Sequence, residues 1–203
     1  MTRDGLLIDF GGVMTSNVFE SFAAFCRAEG LDPDTVRDRF MQDRAARDLL
    51  GELEEGRIAN AEFEARFAPM LGVAEPEGLI ARLFAGMRPD EPMFDAVVAA
   101  RRAGVRTGLV SNSWGEEGYD RTRFDELFDV LVISGELGIR KPAPEIYALA
   151  SERLGRPPER CVFVDDLAGN LKPARELGMA TVLHRDAATT IAELEQHLDV
   201  SLR

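Results

Sequence analysis

Four short stretches, far apart along the chain, carry side chains that could act together on a phosphoryl group: Asp9, Ser111-Asn112, Lys141 and Asp165-Asp166. A carboxylate can attack phosphorus to form an acyl phosphate, which water then hydrolyses. Attacker and phosphate are both negative, so a cation must hold them together. Asp9, Asp165 and Asp166 would supply the hard oxygen donors that suit Mg²⁺. Lys141 and the Ser111 hydroxyl would neutralise and orient the transferring group. Each residue also has a plainer reading. A strand-end Asp can be a helix cap, Ser-Asn is common turn chemistry, Asp-Asp can be a cap plus a turn, and Lys141 before Pro142 can be a solvated loop residue. What favours a site is their expected meeting on one edge.

The elements that must position them follow a regular rhythm. Leu6, Leu7 and Ile8 run into Asp9 and then Gly11-Gly12, a short apolar run that stops abruptly. This predicts a buried strand with Asp9 at its C-terminal end, where open α/β sheets bind ligands. Further strands are expected at residues 105–110, ending at Ser111-Asn112, at 130–133, at 161–164, ending on Asp165-Asp166, and at 180–183. Helical patterns at 92–103, 124–128, 144–154, about 169–178 and 190–198 separate them. Strands alternating with helices predict an α/β fold with a parallel sheet covered on both faces, in three α/β/α layers. Between residues 18 and 87 no strand-like run occurs. About four short helices are expected there: a first built on Phe19, Phe22, Ala23 and Cys26 and stopped by Gly30, then 34–50, 62–71 and 76–87. This block reads as a small helical insertion.

Composition limits the partners. Lys and Arg number 24 against 36 Asp and Glu, a net charge of −12. That balance disfavours nucleic acid or an anionic membrane, which reward clustered Lys and Arg. A small anionic substrate is not excluded, because a local site can oppose the global field. No run approaches the roughly 20 apolar residues that span a bilayer. The first residues lack the basic region and apolar segment of a signal peptide, and Cys26 and Cys161 read as buried free thiols, so a cytoplasmic protein is expected. The 203 residues suit one full domain with an insertion.

The polar stretches resemble the four motifs of the haloacid dehalogenase (HAD) superfamily of hydrolases, in order. Asp9-Phe10-Gly11-Gly12-Val13 is similar to the family's Asp-x-Asp-Gly-Val/Thr, and Ser111-Asn112 follows an apolar strand. Gly138-Ile139-Arg140-Lys141-Pro142 precedes Pro144-Glu145-Ile146-Tyr147, and Val164-Asp165-Asp166 is followed by Asn170 and Gly178. The resemblance implies a Rossmannoid core formed by residues 1–15 and 89–203, with a helical cap at 16–88. It implies that Asp9 is nucleophile and metal ligand, that Asp166 binds Mg²⁺ directly and Asp165 through water, and that Gly11 offers a backbone carbonyl to the metal. Ser111, Gly12 and Asn112 would bind the phosphate and Lys141 would balance its charge. The implied activity is release of phosphate from a small phosphorylated metabolite, by a monomer or homodimer.

One position departs from that pattern. Gly11 stands where the family's second Asp protonates the leaving oxygen and activates water. Positioned acid–base catalysis contributes roughly 10²–10⁴ in rate, so the departure predicts a slow enzyme or a proton donor recruited from elsewhere. It leaves open a low-turnover protein that binds a phosphorylated ligand or partner, and, less favoured, a dehalogenase, a phosphonatase or a mutase. A dehalogenase would leave Asp165-Asp166 unexplained. Around the site, Arg44, Arg47 and Arg57 are candidate anion contacts of the cap, or surface ion pairs. Trp114 is expected at the pocket mouth or packed against the cap. His184, after the last strand, is a remote candidate for the missing proton donor.

Overall fold

The middle strand of a parallel sheet carries the first acid. The structure is a computed structural model that describes residues 2–115, 119 and 121–202. Strands β1 (Gly5–Ile8), β2 (Arg106–Ser111), β3 (Val130–Ile133), β4 (Cys161–Asp165) and β5 (Ala180–Leu183) pair in the order β3-β2-β1-β4-β5, every pair parallel. Successive side chains of a strand point to opposite faces. Leu6 and Ile8 accordingly join one apolar cluster and Leu7 another. On the first face lie α6 (Glu91–Arg102), α7 (Phe124–Leu127) and α11 (Ala187–Leu198). On the second lie α9 (Pro144–Leu154) and α10 (Ala168–Glu176). A four-residue helix, α8 (Ser134–Leu137), follows β3 directly. The fold is the three-layer α/β/α arrangement expected, of Rossmann-like type.

The residues between β1 and α6 form α1 (Val18–Ala28), α2 (Thr35–Gln42), α3 (Arg44–Glu54), α4 (Asn60–Leu71) and α5 (Leu79–Phe84). They pack around an apolar cluster of their own, built on Phe22, Phe40, Phe63 and Phe67. The two passages between this helical unit and the sheet lie side by side. Thr15 and Pro89 form an antiparallel bridge, Ser16 N donates to Arg88 O at 2.8 Å, and Asp90 N donates to Met14 O at 2.9 Å.

Several boundaries differ from expectation, for local reasons. The helix expected over 34–50 is two helices. Asp43 turns extended (φ −96°, ψ 116°), and its side chain accepts from Ala45 N at 2.9 Å, which caps α3. The helix expected over 76–87 shrinks to α5 because Gly78 takes φ +69° before it, a left-handed conformation that glycine adopts freely. Glu64 of α4 then accepts from Gly78 N and Ile80 N at 3.1 and 2.9 Å. Both cysteines are free and buried. Among the described residues no helix is long and apolar enough to cross a membrane.

Candidate active site

The strand order explains why the scattered polar stretches meet. β1 sits between β2 and β4, so the C-terminal ends of those two strands flank Asp9. Asp9 N donates to Val164 O at 3.0 Å, continuing the ladder by one residue, and Asp9 Oδ1 accepts from Phe10 N at 2.7 Å. Lys141 Nζ lies 2.7 Å from Asp9 Oδ1 and 2.7 Å from Asp165 Oδ2, with Lys141 only 2 % exposed. Asp165 is fully buried, and its oxygens also accept from Leu167 N at 2.8 Å and from Asn170 Nδ2 at 3.0 and 3.1 Å. Asp166 is half-buried, and its carboxylate interacts with its own backbone N–H. Asp9, Asp165 and Asp166 each offer an oxygen within 4.8 Å of the others.

Charge does not balance within this cluster. Three carboxylates face one ammonium in a buried place. Burial pushes the Asp9 carboxyl up to about 7, with Lys141 opposing and Asp165 and Asp166 adding to the shift. Burial likewise raises Asp166 to about 6, and Asp165 adds to it. Burial pulls on the Lys141 ammonium in the other direction, but Asp165 and Asp9 outweigh it and hold the charge above its ordinary range. A divalent cation among the three carboxylates would cancel the excess, and an all-oxygen donor set fits a hard ion. The donor set therefore fits Mg²⁺.

Gly12 makes this approach possible. It adopts φ +79°, and a Cβ there would stand 2.6 Å from Asp166 Oδ2. Only glycine lets Asp166 close on the loop after β1. Gly12 N donates to Thr15 Oγ1 at 3.0 Å. Gly11, beside it, has an ordinary φ, and a Cβ there would meet Val18 Cγ2 at 3.2 Å.

Asn112 holds the lysine loop. Its Oδ1 accepts from Lys141 N at 2.8 Å, and its Nδ2 donates to Lys141 O at 3.1 Å and to Glu54 Oε2 at 3.3 Å. The expected role on phosphate falls on a residue whose amide is already engaged. Ser111 is buried, and its Oγ accepts from the Tyr119 hydroxyl at 2.8 Å. Burial raises the Tyr119 phenol, so it stays protonated.

Two residues that sequence reasoning missed join this network. Glu54, at the C-terminal end of α3, reaches from the helical unit to Arg140 Nη1 at 2.7 Å, and its backbone carbonyl accepts from the Ser134 hydroxyl. Burial raises its carboxyl to about 7 against the pull of Arg140. Tyr119 follows the strand end by eight residues. No motif marks either.

A cavity of about 800 Å³ opens from this edge and runs beneath α4 and α5, lined by Gly11, Ser111 and Asn112 at one end. Arg44, Arg47 and Arg57 lie outside its wall. Arg44 pairs with Asp48, Arg47 donates to Met41 O, and Arg57 pairs with Glu55. The cations in the wall are Arg88 and Arg123 instead. Trp114 does both things expected of it. It lines the cavity, and its ring packs among Phe22, Phe40, Phe63 and Phe84 at 5.0–5.8 Å between centroids. His184 is buried, outside the cavity wall, with Nδ1 3.0 Å from Thr190 Oγ1, and burial lowers its pKa.

A Rossmann-like sheet with acids at its strand ends and a helical unit above them defines a class of α/β hydrolases. The chain belongs to the haloacid dehalogenase-like hydrolase family, whose model matches residues 4–178. It is 28% identical over 201 residues to a D-ribitol-5-phosphate phosphatase of Bacteroides thetaiotaomicron, covering 93% of this chain and 95% of that one. It is 37% identical over 114 residues to the bifunctional epoxide hydrolase 2 of Rattus norvegicus, a match over 53% of this chain and only 21% of that protein's length. A HAD family enzyme of Bacteroides thetaiotaomicron solved as a magnesium complex shares the fold, with a TM-score of 0.67, 24% identity and coverage of 91% and 94% of the two chains.

Proposed function

We propose that the protein is a Mg²⁺-dependent phosphohydrolase that acts on a small phosphorylated metabolite through an acyl-phosphate intermediate on Asp9. The observation that carries this is the cluster of Asp9, Asp165 and Asp166 within 4.8 Å, with Lys141 2.7 Å from two of them. The similarity to proteins named as phosphatases supports it. Asp9, Asp166 and the Gly11 carbonyl would hold the metal, with Asp165 behind them, bound to Lys141. When bound, the ion would screen the charge of the phosphoryl oxygens and keep Asp9 ionised.

The protein residues divide the work. The Asp9 carboxylate attacks phosphorus and the P–O bond to the leaving group breaks, the departing oxygen taking its proton from solvent water. Water then attacks the acyl phosphate to regenerate Asp9 and release phosphate. Lys141 holds positive charge beside Asp9 throughout. The Ser111 hydroxyl, oriented by Tyr119, and the backbone around Gly12 and Asn112 would contact the phosphate. Asn112 fixes the Lys141 backbone from both sides.

A low-turnover reading rests on Gly11, because no carboxylate stands there to move the leaving-group proton. A dehalogenase has less support, since Asp165 and Asp166 complete an oxygen cluster that halide displacement does not use. A phosphate-release screen with and without Mg²⁺, on wild type and Asp9→Asn, decides. We expect metal-dependent release that Asp9→Asn lowers by at least about 10⁴-fold. Activity that survives both chelation and Asp9→Asn would sink the mechanism. Phosphate-ester binding without release would favour the low-turnover reading.

A further inference from the structure

The cavity that opens from Ser111 has a wall unlike its acidic end. Phe10, Ile80, Phe84, Met87, Phe94 and Trp114 give it a largely apolar surface, with Asn60, Glu64, Arg88, Glu91 and Arg123 among them. Several polar groups in the wall are committed elsewhere, the Asn60 amide being an exception. Glu64 caps α5 through Gly78 N and Ile80 N. Arg123 pairs with Glu91 at 2.9 Å and lies 4.5 Å over the Phe94 ring. The Tyr119 hydroxyl donates to Ser111. Among the described residues, Arg88 alone of the charged groups in the wall has no partner for its side chain, and it is exposed.

A polyol or sugar chain brought into this space would bury hydroxyls against carbon. Each hydroxyl left without a partner weakens binding by about tenfold or more. A hydrocarbon gains instead, by roughly fourfold for each methylene removed from water. Gly11 extends the same character to the reaction centre, because no carboxylate side chain projects between Asp9 and the cavity. We propose that the leaving group is apolar: the substrate is a phosphate monoester of an alkyl or aryl alcohol, its hydrocarbon lying beneath α4 and α5 against Phe84 and Trp114. This rests on the phosphatase reading and narrows its substrate class.

The test uses the full chain with Mg²⁺ and two readouts. The first is kcat/KM for n-alkyl phosphates from ethyl to octyl, beside glycerol 3-phosphate and ribitol 5-phosphate. The second needs no turnover: fluorescence of Trp114, the chain's one tryptophan, titrated with ethyl- and octylphosphonate. We expect kcat/KM to rise severalfold for each pair of methylenes, and octylphosphonate to bind at least tenfold more tightly than ethylphosphonate. Met87→Glu, which puts a charge into the wall at a residue outside the apolar clusters, should cut the octyl-to-ethyl ratio at least tenfold. A flat or falling series with the polyol phosphates preferred overturns the proposal and leaves the phosphatase reading intact. An unchanged ratio in Met87→Glu overturns the placement of the chain. Chain-length-dependent binding without release from any ester overturns the phosphatase reading and upholds the apolar ligand. Neither release nor binding overturns both.

Discussion

The two sides of the cleft are built from different materials. On the sheet side, Asp9, Ser111, Asn112, Asp165 and Asp166 stand at strand ends or just past them, and Lys141 follows the short helix after β3. Hydrogen bonds or ion pairs within about 3 Å hold most of these groups. On the helical side, the wall is largely carbon, and its acid serves the packing of the helices: Glu64 of α4 caps α5, much as Asp43 caps α3 elsewhere in the unit. Strand ends set these charges at fixed short distances from one another, the placement that the proposed phosphoryl transfer needs. Short helices on two adjacent passages present surface, which suits selection by shape and burial. The two sides touch chemically at Glu54, which carries a carboxylate of α3 to Arg140 and Asn112.

If the sheet side works through exact placement, the smallest change in its backbone should cost most. Gly12→Ala adds one methyl group at φ +79°, where it would sit 2.6 Å from Asp166 Oδ2. If Asp166 binds the metal as proposed, its displacement by about 1 Å costs roughly 10²-fold in rate, and we expect kcat to fall by that much with a weakened Mg²⁺ dependence. A Gly12→Ala enzyme with wild-type Mg²⁺ affinity would show that Asp166 does not depend on that approach.

Restoring a carboxylate beside Asp9 tests the same side in the opposite direction. Gly11 has an ordinary φ, so Asp is allowed there, but its Cβ meets Val18 Cγ2 at 3.2 Å. We therefore expect Gly11→Asp with Val18→Ala to raise kcat for polar phosphate esters about tenfold or more, at the low end of what acid–base catalysis provides. Gly11→Asp alone should gain less. A loss of activity in both variants would mean that the proton donor already lies elsewhere.

Much of the sheet side was legible in the sequence, because strand ends are marked twice. An apolar run fixes the strand, and the first polar residues after it fix the end, as at Ile8-Asp9 and Val164-Asp165. A parallel sheet then brings such ends together whatever their separation in the chain. The helical side was legible only as helix. Its site-facing residues carry no period of their own: Ile80 and Phe84 line the cavity while Phe63 and Phe67 fill the core, and all four read alike as apolar positions. The arginines chosen from the sequence, Arg44, Arg47 and Arg57, lie outside the cavity wall because they sit on exposed stretches of the helical unit, whereas Arg88 enters through the passage beside Thr15. Glu54 was illegible for a related reason. A glutamate near a helix end reads as solvated, and nothing local reveals that Arg140 and Asn112 will bury it.

Glu54 should also matter to rate more than an ordinary cap residue. Glu54→Ala leaves Arg140 without its 2.7 Å partner and frees one side of Asn112, the residue that grips the Lys141 backbone. We expect kcat to fall severalfold with KM less affected, and Glu54→Gln to recover most of it. Equal losses in the two variants would point to the charge itself and not to the positioning of Asn112.

The smallest effect separates the two sides by pH. Burial raises the Glu54 carboxyl from its ordinary 4.5 to about 7, with Arg140 the main opposing group, followed by Lys141 and Asn112. Between those values the folded chain holds a proton that the unfolded chain has lost. Stability therefore falls as pH rises through that window and is level on either side of it. The shift corresponds to at most about 3 kcal/mol. Asp9 and Asp166 are raised as well and push in the same direction, so the absolute slope belongs to no single residue. The difference between wild type and Glu54→Gln, both unfolded in urea with chelator present, isolates Glu54. Gln keeps the shape, accepts from Arg140 and does not titrate. The variant should gain on wild type as pH rises from about 4.5 to about 7 and hold a constant lead above that. Parallel curves would mean that Arg140 keeps Glu54 ionised across the range, and that the helical side meets the sheet through a settled ion pair instead of a proton shared with solvent.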